Sequence, residues 1–473
     1  LTIDTDAMQI KILNGYQDYS WYGEKDFDGT ASPVSYVEKI GQAETNKQHE
    51  IQFISNGDGD VSWVAGLFYY NVSLDQPYTL TDAANPWLIG ATTNPDGIFY
   101  TQRGLLDSTS KAAYGQVDWQ VSDQLALSFG LRYSQDDKQG SETQLQVYDA
   151  VVDYCGEGFL PLVKAFGPYL NLAVLNPAFT GCRFGVVGGG GAAEHKADWD
   201  ATDWRLNATY KINDDAMVYA TASSAYKPGG FRLGGLQDDA TTAVNESIVD
   251  NEDLLAFEVG YKGVIGDRFS MSTAAFYYDY SDLQVELAIL DPTSGIATAK
   301  LANASSATIF GLEVESQWAA TEKLTVLANM SFLQTEYDDD FFVSDNKTNT
   351  IRNAKGNELN RSPNSKFSLA AYYRQPMETG TLLLTGNYTH VGEQFVTVFN
   401  DDIETIDSYS QLNGRISWQP NSERYEVSIY GSNLTDELSY ANDYSVSGLA
   451  DGVRRSGRPI SPRNYGLELA VFF

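Results

Sequence analysis

Alternation with a two-residue period is the feature that most limits what this chain can fold into. Leu125, Leu127, Phe129, Leu131 and Tyr133 alternate with Ala126, Ser128, Gly130, Arg132 and Ser134. One side of that segment is apolar; the other is small or charged. The pattern returns at Val61, Trp63, Ala65, Leu67 and Tyr69, and at Trp204, Leu206, Ala208, Tyr210 and Ile212. It returns again at Leu324, Val326, Ala328, Met330 and Phe332, and at Tyr465, Leu467, Leu469, Val471 and Phe473. Side chains alternate across a strand, so a period of two describes a strand with unlike faces. No stretch of helical length carries a convincing 3.6-residue period; the nearest lies around 160–175. The expected class is all-β.

The connections sharpen this. Short ones carry turn residues: Asn56-Gly57-Asp58-Gly59, Ser122-Asp123, Asn213-Asp214-Asp215, Ile265-Gly266-Asp267, Ala320-Thr321-Glu322, Met377-Glu378-Thr379 and Gln419-Pro420-Asn421-Ser422. Between them lie long polar connections near 23–45, 75–108, 141–198, 227–251, 339–362 and 437–460, with shorter ones at 289–297 and 400–405. Alternating short turns and long loops between antiparallel strands describe an outer-membrane β-barrel, with tight inner turns and extended outer loops. Counting strands gives about 16. They fall near 7–21, 47–55, 61–74, 109–121, 124–140, 198–212, 216–226, 252–263, 267–287, 297–319, 323–337, 365–375, 380–398, 406–418, 423–435 and 462–473. Several exceed the roughly 9–11 residues that a tilted strand needs to cross a bilayer, so they are expected to project beyond it. Lipid leaves no backbone group unpaired, so the barrel must close. Either sixteen strands close alone as a diffusion porin, or the chain is most of a larger barrel.

Composition excludes several classes. The chain has 31 basic and 63 acidic residues and a formal charge of −32, a poor match to nucleic acid. Two Cys and three His leave little for a zinc site. His49, His195 and His390 are scattered and form no catalytic signature, so no enzyme, cofactor or resident metal is expected. No run approaches 18 apolar residues, which excludes a membrane helix but not a barrel. The mean hydropathy of −0.31 is what two averaged strand faces give. The chain opens on Leu1-Thr2-Ile3 with neither a charged nor an apolar leader, so no signal peptide is expected within it.

Eight segments then carry a specific likeness. Tyr16-Gln17-Asp18-Tyr19 and Asp26-Phe27-Asp28-Gly29-Thr30 come first. Ala225-Tyr226-Lys227-Pro228-Gly229-Gly230-Phe231-Arg232 follows, then Phe257-Glu258-Val259-Gly260-Tyr261-Lys262 and the run Phe276 to Gln284. Asn303-Ala304 through Gly311-Leu312-Glu313-Val314-Glu315, Asn433-Leu434-Thr435-Asp436-Glu437 and Pro462-Arg463-Asn464-Tyr465-Gly466-Leu467 complete the series. In this order they resemble TonB-dependent outer-membrane receptors along essentially the whole chain. The resemblance implies a 22-stranded barrel with a plugged lumen, of which about 16 strands are visible here, the N-terminal plug and first strands being absent. It implies an active transporter for a scarce nutrient: a ferric siderophore, a cobalamin-type compound or an oligosaccharide. It also implies the TonB energising complex as partner through the missing part, outer-membrane lipid and lipopolysaccharide as surroundings, and Phe473 as a terminal assembly signal.

Candidate ligand contacts lie in the outer loops. Aromatic rings stack on ligands and bury apolar area, which selects Trp87, Tyr100, Phe341, Phe342, Phe399 and Tyr440, beside Tyr78, Phe99 and Tyr444. Lys227, Arg232 and Arg455, with Arg454 and Arg458, are cations for an anionic ligand. Their bland alternatives are packing within the loops and pairing with loop carboxylates. Cys155 and Cys182 share the 141–198 loop, where a disulfide would brace it in an oxidising compartment. Asp338-Asp339-Asp340 and Asp401-Asp402 read as an acidic rim rather than a cation site, and Asn56–Asp60 as a turn rather than a calcium loop. Trp63, Trp119, Trp204 and Trp418 read as girdle residues at the lipid interfaces.

Overall fold

A computed structural model describes residues 1–26, 36–57, 59–82, 98–146, 152–153, 183–184, 189–231, 248–290, 297–304, 306–345, 347–348, 350–440, 445–449 and 452–472. Among them there is no α-helix, and one 3-10 turn at Asp402–Glu404. Seventeen strands form one antiparallel sheet in which each pairs with its sequence neighbours. In chain order they are β1 (Thr2–Asp4), β2 (Met8–Asp26), β3 (Tyr36–Ser55), β4 (Val61–Asp82), β5 (Ile98–Gln120) and β6 (Leu125–Gln146). Then follow β7 (Gly189–Asn213), β8 (Ala216–Lys227), β9 (Glu252–Ile265), β10 (Phe269–Ser281), β11 (Ala307–Ala319) and β12 (Leu324–Tyr337). The last are β13 (Ser365–Met377), β14 (Gly380–Val391), β15 (Tyr409–Pro420), β16 (Tyr425–Ser432) and β17 (Asn464–Val471). Sixteen of these fall where the alternation placed them. The addition, β1, is a three-residue strand paired to Gln9–Lys11 of β2.

The two faces of the sheet differ as the pattern requires. Leu67, Trp63, Val117, Trp119, Phe129, Leu131 and Leu206 lie exposed on one face, in a band some nine to eleven residues tall, the height of a bilayer crossing. Trp204 pairs with Leu131, and Trp418 sits edge-on to Tyr425 at 6.0 Å, so both rings share that outer face. The opposite face is polar and internally bonded. Tyr114 donates to Glu50 at 2.5 Å, and Arg132 lies 5.2 Å from the Phe68 ring. Farther round, Tyr219 donates to Glu258 at 2.6 Å. Arg415 donates to Glu468 at 2.8 Å and to Ser428 at 2.7 Å. A face this polar cannot meet lipid, so it lines the lumen.

Two expectations need correcting in detail. The segments at 267–287 and 297–319 are not two unbroken strands. Each breaks outside the membrane, and Gln284–Leu290 with Ala297–Asn303 forms a separate outer hairpin. Asp282 takes a φ of 54°, a left-handed conformation that ends β10. Conversely, β2 to β7 run 19, 20, 22, 23, 22 and 25 residues, longer than the alternation alone marks. Above the bilayer the apolar residues thin out and change face, Val72 and Leu74 lying inward where Trp63 and Leu67 lie outward, so the lipid-facing period ends there. The strands β8 to β15 span only 12 to 14 residues. One side of the sheet therefore rises well above the bilayer while the other stops near it.

Candidate functional site

Functional chemistry in such a barrel belongs at its outer end, where three structures stand. The first is a strap. Lys227 to Phe231 leaves β8 and turns against the upper wall of β6 and β7. Tyr226 donates a short hydrogen bond to Asp136, and Lys138 Nζ donates to the Gly229 carbonyl at 2.6 Å. The Lys138 ammonium also lies 5.5 Å from the Trp199 ring centroid. Burial pushes the pKa of Lys138 down, against the pull of Asp136. Gly229 is required by space: a Cβ there would stand 2.1 Å from Trp199 Nε1 and 2.2 Å from the Val249 carbonyl oxygen. Phe231 is buried against Leu106 and Ile248, with the His195 ring 5.7 Å away.

Neighbouring loop roots are stitched to this strap. Gln284 Nε2 donates to the carbonyls of Pro228 at 3.1 Å and Asp250 at 3.0 Å, and its backbone N–H donates to Glu252 at 2.7 Å. Asn303 accepts from the Asp250 N–H at 2.8 Å and donates to the Asp282 carbonyl at 2.8 Å. Asn433, 2% exposed with a φ of 48°, holds the root of the last outer loop by donating to the Glu437 and Ser461 carbonyls at 2.9 and 3.0 Å. The motif residues thus fasten strand ends to loop roots.

The second structure is a cap built from three successive connections. Ala304, Ala307, Tyr337, Phe341, Val343, Ala354 and Phe399 form one buried core outside the membrane band. Burial pushes the Tyr337 phenol up to about 12. Beside Phe399 lies a charge cluster. Lys347 Nζ reaches Asp345 and Asp401 at 3.2 Å each, and contacts Glu404 more closely still. Arg352 donates to Asp345 at 2.9 Å and to both oxygens of Asp401 at 2.6 and 2.9 Å. Both cations face the Phe399 ring, at 4.6 and 4.8 Å. Asp345 and Glu404 are each 1% exposed. Burial opposes ionisation of Asp345, but hydrogen bonds from Arg352 and Lys347 outweigh it and hold the carboxyl below its usual range. Arg352 first, and Lys347 after burial's opposing effect, hold Asp401 low as well. The cluster ties residues 342–353 to 399–404.

The third is the inner face of the tall wall. Tyr19 and Trp21 of β2, with Gln42, Glu44 and Asn46 of β3, share the face of Glu50, since Leu13 pairs with Glu50 and the alternation continues upward. Trp21 is 46% exposed there.

The expected contact residues divide accordingly. Phe341 and Phe399 are core residues of the cap, turned away from solvent. Phe342 is 63% exposed on the outer side of its hairpin, and Tyr440 is exposed beside a bridge to Pro459. Lys227 lies 3.8 Å from Glu252 and remains open to solvent. Tyr100 lies in β5 and Arg455 in the hairpin strand Gly452–Ser456; their side chains lie outside what is described. Trp87, Arg232, Cys155, Cys182 and Phe473 lie outside the described residues altogether. Asp338 and Asp339 bond Thr308 and Ser306 at 3.1 and 2.7 Å, and Asp401 is taken by Arg352. Among the described residues no group of carboxylates, His or Cys is arranged to hold a metal ion. Sequence reasoning missed Tyr19, Trp21, Gln42 and Glu44, although Tyr19 stood in a quoted motif. The cue was an aromatic cluster in a strand too long for the bilayer.

Comparison with known proteins agrees with this architecture. Residues 2–434 match the family described as TonB dependent receptor-like, beta-barrel. The pesticin receptor of Yersinia pestis is 22% identical over 99% of this chain and 57% of its own length. The crystal structure of the ferric yersiniabactin uptake receptor of Yersinia pestis superposes with a TM-score of 0.71 at 17% identity, covering 100% of this chain and 60% of that one. The siderophore receptor PiuA of Acinetobacter baumannii gives 0.62 at 14% identity, with 98% and 62% covered. The chain therefore spans less than two thirds of the proteins it resembles.

Proposed function

The chain belongs to the TonB-dependent receptor β-barrel family, and from that premise we propose that it captures and imports a scarce nutrient such as a ferric siderophore. It lies in the bacterial outer membrane. The observation that carries the reading is the family match across residues 2–434, joined to a polar lumen and a structured outer rim. The relatives named for siderophore and pesticin reception make an iron chelate the leading cargo. In this reading the barrel makes and breaks no bond. Its loops gather ligand from the medium, its wall holds ligand over the lumen, and the TonB complex supplies force through a part of the protein outside this chain. Outer-membrane lipid and lipopolysaccharide surround the apolar band. Lys227, Phe342 and Tyr440, with Trp87, Tyr100, Arg232 and Arg455, are the proposed loop contacts, and a Cys155–Cys182 bridge is proposed to brace the longest loop.

The test is uptake. Cells lacking the gene are expected to lose growth on an iron chelate in iron-limited medium, and the intact gene restores it only in a strain with a working TonB. Growth that returns without TonB would identify a passive pore and sink the proposal.

A further inference from the structure

On the tall wall, above the lipid-facing band, the inward side of β2 and β3 carries an arrangement that no loop motif announces. Glu44 is the centre. Its Oε2 accepts from Tyr19 Oη at 2.9 Å and from Gln42 Nε2 at 2.9 Å, and its Oε1 accepts from Asn46 Nδ2 at 2.8 Å. Gln42 Nε2 also lies 2.9 Å from Tyr19 Oη, and Tyr70 Oη donates to Asn46 at 3.3 Å. The hydrogen bonds from Asn46 first, then Tyr19, hold the Glu44 carboxyl below its usual range despite some burial. The carboxylate is charged and fixed in place before any ligand arrives. One pair of residues farther up the same face, Trp21 stands open to solvent opposite Gln42.

Charge on β2 to β5 around this ledge is one-sided; beyond them, Lys138 of β6 shares the inward face opposite Ser108 and donates to the Gly229 carbonyl. Register places Gln17, Tyr19, Trp21, Gln42, Glu44 and Asn46 on the inward face, followed across β4 and β5 by Val72, Leu74, Leu106 and Ser108. Lys47, Lys39 and Arg103 fall on the other parity; Lys39 lies 3.5 Å from Glu24 and Arg103 forks onto Asp75. Among the described side chains of that inward face in β2 to β5, no Lys or Arg stands above the bilayer to offset Glu44.

We propose that this ledge is a ligand-contact surface selective for a chelate that presents aromatic ring faces and bears no net negative charge. Trp21 and Tyr19 supply flat apolar area for stacking. Gln42 and Asn46 fix the carboxylate, whose remaining lone pairs accept from ligand donors. An anionic chelate meets the fixed Glu44 carboxylate at contact distance, where like-charge juxtaposition disfavours it. The inference rests on the import reading above and narrows its substrate class.

A matched pair of probes tests it: a ferric tris-hydroxypyridinone, uncharged, and a ferric tris-catecholate, which is triply anionic with similar rings and the same six-oxygen shell. Binding of each, labelled with radio-iron, is measured on outer-membrane vesicles bearing the intact natural protein, with vesicles lacking it as blank. The uncharged chelate is expected to bind at least about tenfold more tightly, since close like charges are what complementarity avoids. Glu44→Gln keeps the shape and is expected to shrink that gap to about threefold, and Trp21→Ala to weaken the uncharged chelate about tenfold. Tyr19→Phe, which removes one donor but no ring, is expected to shift the charge preference without losing stacking. Equal or tighter binding of the anionic chelate, or affinities unmoved by all three substitutions in vesicles holding equal amounts of protein, overturns the inference while leaving import intact. Binding of neither chelate above the blank overturns this inference as well, while the import reading stands or falls on the TonB-dependent growth test.

Discussion

At the scale of single residues, the cap shows how burial decides what a charge does. Lys347 looks in sequence like an ordinary loop lysine, and Asp401 like part of an acidic rim. Packed against Phe399 they become halves of one cluster with Asp345, Arg352 and Glu404. Removing Lys347 strands the buried Asp345 and Glu404 carboxylates out of water, and breaking a buried pair in this way costs about 3–5 kcal/mol. Lys347→Met is therefore expected to loosen the cap, read as faster chymotrypsin cutting after the exposed Phe342. Lys347→Met with Glu404→Leu is expected to recover much of the loss, because the uncompensated carboxylate goes too. Acid acts through the same groups. Asp345 and Asp401 have folded pKa values below their unfolded ones, so their stabilisation is complete above the unfolded carboxylate value of about 3.9. It is lost as pH falls through the lower folded values. Pepsin nicking of 338–364, normalised to an unfolded substrate, is expected to stay flat at mildly acid pH and to rise only below that point.

Elements show where sequence was readable. Strands crossing the bilayer announce themselves because lipid on one side and a wet lumen on the other force unlike faces; Leu125 to Tyr133 is the plainest case. Upper strand segments such as Thr101–Ser110 leave the lipid, so the apolar stripe that marks a crossing ends and their length stayed hidden. Phe341 and Phe399 illustrate a different limit. A loop aromatic that packs inward and one that meets ligand look alike until long-range contacts are known. The strap is the converse, since Tyr226–Phe231 was noticed as a motif before its task was visible. Its geometry predicts that Gly229→Ala cannot be accommodated, because both Trp199 and the Val249 carbonyl stand within 2.2 Å of the new methyl. Overpacking of this kind costs about 1–3 kcal/mol or more. Amide exchange at 248–251 is expected to quicken in that variant while β9 to β12 remain unchanged; unaltered exchange would show that the strap tolerates the methyl.

For the molecule as a whole, the lipid and lumen assignments make opposite demands on neighbouring positions. Leu131 lies in the apolar band of β6, and Ser128, an odd number of residues away, faces the lumen. Leu131→Arg is expected to cost about 2–4 kcal/mol as a midplane charge, whereas Ser128→Arg places the same charge among water and polar groups. Urea titration of folding into lipid vesicles separates the two, and equal losses would mean that the faces are misassigned.

The strands also end at different heights. From the top of the apolar band on β4, near Tyr69, the strand continues to Asp82, some dozen residues or about 40 Å along its path. Strands such as β13 and β14 stop close to the surface. The rim is thus made of two materials: a hydrogen-bonded ladder on one flank, and on the other the packed cap around Tyr337 and Phe399. A ladder resists deformation strand by strand, whereas a packed cap yields as a unit, so a load on the rim is borne unequally by its two halves.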